Sequence, residues 1–389
     1  MLQKEFLGKG SLKNIKDIIN ELDAKKILLV TGKKSFTSSG AASNLNAFLK
    51  NKDVAKFNDF EANPKLEDVY SGVELIRQEK PDLIIAIGGG SVIDMAKLIN
   101  ILAAQTEQDA LNVINDSSLI HNKGQPLVAI PTTSGTGTQA THFAVVYIDK
   151  VKYSLPHKYI LPDYAVVDFS LSYGTPKEIA ACSGMDALSQ AVESYWSINA
   201  TNESKKYSSE AIRTILPAIS LAINNKDRRA IRSMSIAAHL AGKAINLTKT
   251  TAAHAISYPI TTYFNVPHGH AVALTLGEFF LINSDIKYNS LIDKRGDKYN
   301  KSTMAELYEM FECADAQTCC DKWYDLMDQI GLERNLNTLG ICNMADIKLI
   351  IKNVNLERLY NNPVKVNDEI LFRMFNKAIN LKSNIGSKI

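Results

Sequence analysis

The stretch that decides the fold is Ile84-Ile-Ala-Ile-Gly88-Gly-Gly-Ser-Val-Ile-Asp-Met-Ala-Lys97. An apolar run typical of a buried strand leads through three glycines into an amphipathic helical pattern. Glycines let the backbone approach a bulky anion, and the start of a helix offers amide hydrogens at the positive end of its dipole. The spacing matches neither Gly-x-Gly-x-x-Gly nor a Walker loop, and a plain tight turn is the alternative. The predicted cofactor-binding residues are Gly88, Gly89, Gly90, Ser91 and Asp94.

A second polar loop follows the next apolar run. It is Ala129-Ile-Pro-Thr-Thr-Ser-Gly-Thr-Gly-Thr138, and its hydroxyls and glycines can contact phosphate and ribose from the side opposite the first loop. Two such loops at the ends of neighbouring strands favour a dinucleotide over a lone phosphate. The predicted contacts are Thr132, Thr133 and Thr136.

Short β-branched runs alternate with helical patterns up to residue 173, which indicates an α/β layer with a parallel sheet. The predicted strands are residues 27–31, 83–87, 127–130, 144–148 and 165–167, with helices at 67–79 and 91–104. A helix-start signature at residues 175–178 opens a part of the chain that is almost entirely helical in pattern. The helices predicted there are residues 177–195, 204–223, 227–244, 302–330 with breaks, 344–352 and 368–379. We predict an α/β dinucleotide-binding domain over residues 1–173 and an all-α metal- and substrate-binding domain over residues 174–389.

The composition excludes several classes of protein. A chain of 389 residues with 46% apolar and 22% charged residues is ordinary for a globular protein and long enough for two domains. The formal charge of +3 is small, and no dense basic run favours a nucleic-acid partner. No apolar segment has the length of a signal peptide or a membrane span, so we expect a cytoplasmic protein. The five cysteines lack the spacing of a metal knuckle, and we expect reduced thiols.

Four side chains in the helical part form a candidate metal site. Asp186 and Gln190 lie four residues apart in a helical pattern and therefore point the same way. His254 and His268 follow downstream, in Thr-Ala-Ala-His and in Val-Pro-His-Gly-His. A carboxylate, an amide and two imidazoles together suit a divalent first-row metal, although each alone has an ordinary structural explanation.

Four motifs occur in a fixed order: the triple-glycine loop, residues 131–137, Gly184-Met-Asp-Ala-Leu188 and Pro267-His-Gly269. With them the chain resembles the iron-containing (group III) alcohol dehydrogenases over nearly its whole length. The resemblance implies the dehydroquinate synthase-like fold of that family, with a nucleotide-binding α/β domain and a helical domain. It also implies NAD(P)-dependent interconversion of alcohols and aldehydes in a homo-oligomer. The implied metal is Fe²⁺ or Zn²⁺, held by Asp186, His254 and His268.

Two positions depart from the family pattern. The family's His one turn after the metal-binding Asp is Gln190 here, so we expect looser metal binding or a different metal preference. A His often found four residues after His254 is Tyr258 here, which affects the family's proton relay. His270 is an additional imidazole that could replace Gln190 as ligand or Tyr258 as relay. Both Tyr258 and His270 are candidate catalytic residues, and His270 is the predicted proton donor because its unperturbed pKa lies near neutrality.

Within the family, residues 186–197, 241–246 and 267–274 look most like the phosphonoacetaldehyde reductases, which make 2-hydroxyethylphosphonate. A phosphonate substrate needs cations, and Lys243 and Lys249 lie just upstream of His254. We therefore expect reduction of phosphonoacetaldehyde. One alternative is a general short-chain alcohol or diol dehydrogenase of the lactaldehyde or butanol type. Another is a nucleotide-binding protein with a decayed metal site.

Two further positions bear on the nucleotide. Lys152 matches the family's Lys that contacts the nicotinamide-side ribose. NAD-preferring members carry an Asp after the first strand that excludes a 2′-phosphate, and here this place is Gly32, followed by Lys33 and Lys34. We expect NADPH to be accepted and preferred over NADH.

Overall fold

The structure, a computed structural model, describes residues 3–106, 109–285 and 290–380. The chain divides into two units, Met1–Pro176 with Ile231–Asn246, and Lys177–Ala230 with Leu247–Ile389.

A parallel sheet forms the centre of the first unit. Within the described residues it has six strands, in the order β1-β8-β5-β4-β2-β3. The chain passes outward from β2 to β3 and returns to place β4 on the other side of β2. This topological switch point, at the carboxyl ends of the strands, is where open α/β sheets bind ligands. The strands are β1 (Lys4–Leu7), β2 (Lys26–Thr31), β3 (Asp53–Phe57), β4 (Leu83–Gly88), β5 (Leu127–Pro131) and β8 (Tyr164–Val167), and β6 (Phe143–Ile148) with β7 (Val151–Pro156) forms a separate antiparallel hairpin.

Helices of the first unit pack on both faces of this sheet, and two apolar clusters fill the layers. Every residue of β4 is buried, which explains its continuous apolar sequence. The predicted α/β layer with a parallel sheet is confirmed. The helices before residue 177 are α1 (Asn14–Glu21), α2 (Ser35–Ser38), α3 (Ala41–Leu49), α4 (Leu66–Glu79), α5 (Gly90–Ala103) and α6 (Ala110–Asn115).

The described part of the second unit is helical apart from an isolated bridge between Leu291 and Val364. In its first helix, residues 184–196 are all buried, so this helix lies in the core of the unit. None of the helices in residues 3–106, 109–285 and 290–380 has the length and apolar character to span a bilayer. The helices from residue 177 onward are α7 (Lys177–Trp196), α8 (Asn202–Asn224), α9 (Arg228–Thr248), α10 (Ala252–Phe264), α11 (His268–Ser284), α12 (Asp297–Met310), α13 (Ala316–Ile330), α14 (Met344–Lys352), α15 (Leu356–Leu359) and α16 (Asp368–Asn380).

The structure differs from the predicted division at residue 173 in one segment. Residues 231–246, the middle of α9, belong to the first unit. Ser235 Oγ lies 2.7 Å from Ser134 Oγ, and the Asn246 side chain accepts the amide of His142 at 2.7 Å. A Cβ on Gly242 would lie 2.4 Å from the carbonyl oxygen of Gly137, so two glycines allow this close backbone approach. Contacts between segments that are distant in sequence therefore place residues 231–246 in the α/β unit.

The cysteines agree with the expectation from composition. All five are free thiols, of which Cys319 and Cys320 are buried and Cys342 is exposed.

Candidate metal centre and nucleotide site

The two glycine- and hydroxyl-rich loops meet at the carboxyl ends of β4 and β5. The strand register pairs Gly88 with Pro131, and the amide of Thr132 donates to the carbonyl of Gly88 at 2.9 Å. A Cβ on Gly90 would lie 2.7 Å from Thr136, whereas a Cβ on Gly89 would lie 3.8 Å from Thr133, its nearest neighbour in the described residues. Gly89 thus leaves space at the start of α5 for a phosphate group.

Two side chains of α5 that are predicted to contact the nucleotide form hydrogen bonds within the protein. Ser91 Oγ accepts the amide of Asn63 at 3.0 Å. The Asp94 carboxylate accepts the hydroxyl of Thr138 and the amide of Val145. Burial raises the pKa of Asp94, against the opposing effect of nearby lysines. These bonds show that Asp94 holds the second loop, and its contact with the nucleotide stays a prediction.

Lys97 is a buried residue of this region that sequence reasoning missed. Its ammonium donates to the carbonyl oxygens of Thr138, Thr141 and Phe143, the last two at 2.8 and 3.0 Å. Burial lowers the pKa of Lys97 to about 7, although Asp94 opposes this shift. The signal was present in the quoted motif, because residues 94 and 97 lie three apart on a helix and so face the same way.

The two lysines predicted to contact the nucleotide lie in different settings. Lys152 is on β7, in register with Tyr147 of β6. Lys33 Nζ lies 3.2 Å from Asp59 Oδ1 and 2.8 Å from Glu61 Oε1. Two exposed carboxylates therefore partly counter the charge of Lys33, and its contact with a 2′-phosphate stays a prediction.

Three of the four predicted metal ligands converge in the second unit. Ligand atoms of Asp186, His254 and His268 all lie within 4.8 Å of one another. Asp186 Oδ1 is 3.3 Å from His254 Nε2, and the rings of His254 and His268 have centroids 5.4 Å apart. Asp186 and His254 are buried. One carboxylate and two imidazoles in this arrangement fit a divalent ion such as Fe²⁺ or Zn²⁺.

Gln190 lies beside this group, one turn after Asp186 on α7. Its amide nitrogen donates to Asp186 Oδ2 at 3.2 Å. The predicted role of Gln190 as a ligand would depend on its amide oxygen and stays a prediction.

A glycine allows α11 to bring His268 to Asp186. A Cβ on Gly269 would lie 2.1 Å from the carbonyl oxygen of Cys182 and 2.8 Å from the Cβ of Asp186. The first turn of α11 therefore packs directly on α7. His268 Nδ1 lies 3.2 Å from the hydroxyl of Ser257 on α10.

Glu193 is a functional candidate that sequence reasoning missed. Its carboxylate pairs through Oε2 with Nδ1 of His254, and its side chain is completely buried. Burial lowers the pKa of His254, but the carboxylates of Glu193 and Asp186 have the larger effect and together raise it to about 9. Glu193 follows Asp186 by seven residues, which is two helical turns, so the spacing was a usable signal.

The two catalytic candidates have different surroundings. The Tyr258 ring lies 6.1 Å, centroid to centroid, from that of His268. His270 Nε2 lies 2.7 Å from the main-chain carbonyl of Glu333, and burial lowers the pKa of His270. The contacting N–H is committed to a carbonyl and the ring favours its neutral form, which argues against His270 as the proton donor, and this role stays a prediction.

The two lysines predicted to bind a phosphonate each have a carboxylate partner. Lys243 Nζ lies 2.9 Å from Glu5 Oε1 in the first unit. Lys249 forms an ion pair with Glu357 in the second unit. The charges of both lysines are countered within the protein, and their contact with a phosphonate stays a prediction.

Two phosphate-compatible loops and a buried carboxylate–imidazole group are features expected of a metal-dependent oxidoreductase of the nicotinamide class. The model of the iron-containing alcohol dehydrogenases matches residues 3–169, and that of the C-terminal part of the Fe-containing alcohol dehydrogenase family matches residues 180–379. The chain belongs to the iron-containing alcohol dehydrogenase family.

Individual relatives agree with this assignment. The long-chain-alcohol dehydrogenase 1 of Geobacillus thermodenitrificans (strain NG80-2) is 34% identical over 275 residues, 69% of each chain. The NADPH-dependent butanol dehydrogenase of Clostridium saccharobutylicum is 34% identical over 285 residues, 72% of each chain. The crystal structure of sulfoacetaldehyde reductase from Bifidobacterium kashiwanohense in complex with NAD⁺ has a TM-score of 0.85 at 28% identity, covering 97% of this chain and 99% of that one.

The predicted family, fold, enzyme class and cofactor class are therefore confirmed. The chain is an NAD(P)-linked alcohol dehydrogenase that uses a divalent metal.

Proposed function

We propose that this dehydrogenase reduces a short aldehyde to a primary alcohol with NAD(P)H, using Asp186, His254 and His268 as metal ligands. The convergence of these three side chains within 4.8 Å carries the proposal. A divalent metal bound there supplies a Lewis acid for the carbonyl oxygen of the substrate.

The residues of the chain supply positioning and a proton. The loops at residues 88–90 and 132–138 would bind the diphosphate of the nicotinamide cofactor and orient its ring, and the bound cofactor would supply the hydride for the carbonyl carbon. Tyr258 is the proposed source of the proton for the carbonyl oxygen, because its ring lies near that of His268.

Phosphonoacetaldehyde is the proposed substrate. Support comes from the three segments that resemble phosphonoacetaldehyde reductases and from the similarity to a sulfoacetaldehyde reductase. The substrate in that enzyme's name is a two-carbon aldehyde with a tetrahedral oxyanion, as is phosphonoacetaldehyde. Since Lys243 and Lys249 are ion-paired, their binding to the phosphonate would require the ion pairs with Glu5 and Glu357 to open.

Uncharged short-chain alcohols are the second candidate. The carboxylate partners of Lys243 and Lys249 favour this alternative, as does the similarity to a butanol dehydrogenase.

A direct comparison of substrates tests both candidates. The metal-replete enzyme is assayed with phosphonoacetaldehyde, lactaldehyde and butanal, each with NADPH and with NADH. We expect kcat/KM to be at least about 10-fold higher for phosphonoacetaldehyde than for butanal, a difference of about 1.4 kcal/mol in transition-state binding. We also expect higher kcat/KM with NADPH, because Gly32 has no carboxylate to repel a 2′-phosphate. Equal or greater efficiency with butanal would favour the second candidate.

Metal analysis of the same preparation tests the remaining alternative. Stoichiometric metal together with nicotinamide oxidation supports the enzyme. A protein that only binds nucleotide would show neither. Asp186→Ala is the matched control, and it should lose both the metal and the activity.

A further inference from the structure

Glu193 is a charged residue in the core of the second unit whose side chain is completely surrounded by protein. Oε1 accepts the amide of Thr251 at 3.2 Å, the hydroxyl of Thr251 at 2.9 Å and the amide of His254 at 3.2 Å. Oε2 pairs with Nδ1 of His254. A buried carboxylate is costly unless it is paired and hydrogen-bonded, and here both oxygens have partners.

Glu193 Oε1 accepts hydrogen bonds from the N-terminus of α10. Thr251 is the N-cap of that helix, and its own side chain makes no capping hydrogen bond. The first amides of a helix have no partner within it, and the helix dipole favours a negative charge at this end. Glu193, from α7, therefore caps α10 at the turn that carries His254.

The second oxygen acts on the imidazole of His254. A carboxylate beside Nδ1 favours the proton on that nitrogen, which leaves the lone pair of Nε2 available to a metal. The Nε2 atom lies 3.3 Å from Asp186 Oδ1, on the side of the proposed ligand group. One carboxylate thus controls both the position of the ligand and the nitrogen that it presents.

We infer that Glu193 is a positioning residue, which holds His254 with Nε2 toward the divalent metal by capping α10 and accepting a hydrogen bond from Nδ1–H. This inference rests on the proposed metal site of Asp186, His254 and His268.

The test compares Zn²⁺ affinity among single variants, measured by competition with a chromophoric chelator. Glu193→Gln keeps the shape but places an amide against Nδ1, and Glu178→Gln changes an exposed glutamate of the same helix. We expect Glu193→Gln to weaken Zn²⁺ binding about 10- to 100-fold, and Glu178→Gln to leave it unchanged. Nucleotide affinity should be unchanged in both variants.

A spectroscopic readout separates positioning from a general structural role. In Zn²⁺-bound protein labelled with ¹⁵N-histidine, the His254 signals of the wild type should show Nδ1 protonated and hydrogen-bonded, and Glu193→Gln should shift the Nδ1 signal. Thr251→Val removes one contact of the cap and retains the pairing of Glu193 with His254. It should lower the unfolding temperature and leave Zn²⁺ affinity within about twofold, since the second-shell partner of the ligand is kept.

The outcomes are distinguishable. Zn²⁺ affinity of Glu193→Gln within twofold of the wild type would overturn the inference while the metal site stands. A wild type that binds no Zn²⁺ would instead remove the metal site, and with it the role of Glu193.

If circular dichroism shows that Glu193→Gln does not fold, Glu193→Asp takes its place, because it keeps the charge and shortens the reach. Weakened binding with unchanged helicity then supports the inference, and unchanged binding overturns it.

Discussion

Tyr258 and His270 both stand near the proposed ligands in the sequence, but their contacts separate their roles. The Tyr258 ring lies 6.1 Å from that of His268, whereas His270 contacts the main chain at Glu333. A proton donor must reach the reacting oxygen, so geometry is considered before pKa. The contacts favour Tyr258 as the donor and a structural role for His270.

Matched substitutions at these two positions test the assignment. Tyr258→Phe should lower kcat about 100-fold or more with unchanged metal content, because it removes the proton and keeps the ring. His270→Ala should lower kcat less than about 10-fold and reduce the unfolding temperature, since it breaks one buried hydrogen bond. Steady-state kinetics and metal analysis of both variants provide the measurement. A larger loss of kcat in His270→Ala than in Tyr258→Phe would reverse the assignment.

The candidate site could be predicted from the sequence wherever residues share one helix. The spacing of Asp186 and Gln190 placed them on one face, and the structure joins them by a hydrogen bond. Partners from distant segments could not be predicted in this way. Lys243 lies eleven residues before His254, yet its carboxylate partner is Glu5 on β1, a choice that only the tertiary structure determines.

Among the elements, α14 and α10 show what limits prediction of helices. The bounds of α14, Met344–Lys352, agree with the amphipathic pattern at residues 344–352. Helix α10 was not predicted, because its first ten residues are all buried and its sequence contains Pro259. A helix buried on every side lacks the periodic polar face that identifies it. Helix α11 was missed for the same reason, although it carries His268.

The close packing of α11 on α7 gives a prediction about an element. Gly269→Ala would place a methyl group 2.1 Å from a main-chain oxygen, and backbone cannot move aside cheaply. We expect α11 to shift away from α7, with at least about 10-fold weaker Zn²⁺ binding and a loss of about 1–3 kcal/mol of stability. Zn²⁺ titration and urea unfolding measure the two effects. Normal Zn²⁺ affinity in Gly269→Ala would contradict the packing argument.

The attachment of the α9 segment to β1 gives a pH-dependent prediction. The contact with His239 Nε2 at 3.4 Å and the charge of Lys243 lower the pKa of Glu5 to about 2, although partial burial opposes this. A carboxyl whose pKa is lower in the folded state stabilises the fold above its unfolded pKa of about 4.5, and this stability is lost as pH falls toward 2.

Glu5→Gln should therefore lower the unfolding temperature by about 2 °C near neutral pH, a small shift because the group is partly exposed. The difference from the wild type should shrink below about pH 4.5. Differential scanning calorimetry across this range measures it. A difference that is constant with pH would show that the charge of Glu5 is not involved.

For the whole molecule, the sequence predicted an α/β part followed by a helical part. It did not predict that residues 231–246 belong to the first unit. Proximity along the chain favoured a single boundary, whereas contacts such as that of Ser134 with Ser235 join segments about a hundred residues apart. A division of the chain that is based on sequence patterns cannot detect that a later segment packs in the earlier unit.

All three proposed ligands lie in the second unit, so metal removal should affect the stability of the enzyme. Free metal at 100 times its Kd would stabilise the folded state by about 2.7 kcal/mol. We expect a chelator to lower the unfolding temperature and abolish activity, and added Zn²⁺ or Fe²⁺ to restore both. Asp186→Asn should unfold at the same temperature with and without chelator. An unchanged unfolding temperature of the wild type would indicate that no metal is bound.

The thiols of this enzyme have a practical use in such measurements. Burial raises the pKa of Cys182 to about 11 and of Cys320 to about 12, so we expect both to react slowly with alkylating reagents near neutral pH. Cys342, in contrast, is exposed. A maleimide fluorophore should therefore attach preferentially at this position, and report on the enzyme without modifying the cysteine that lies one turn before Asp186.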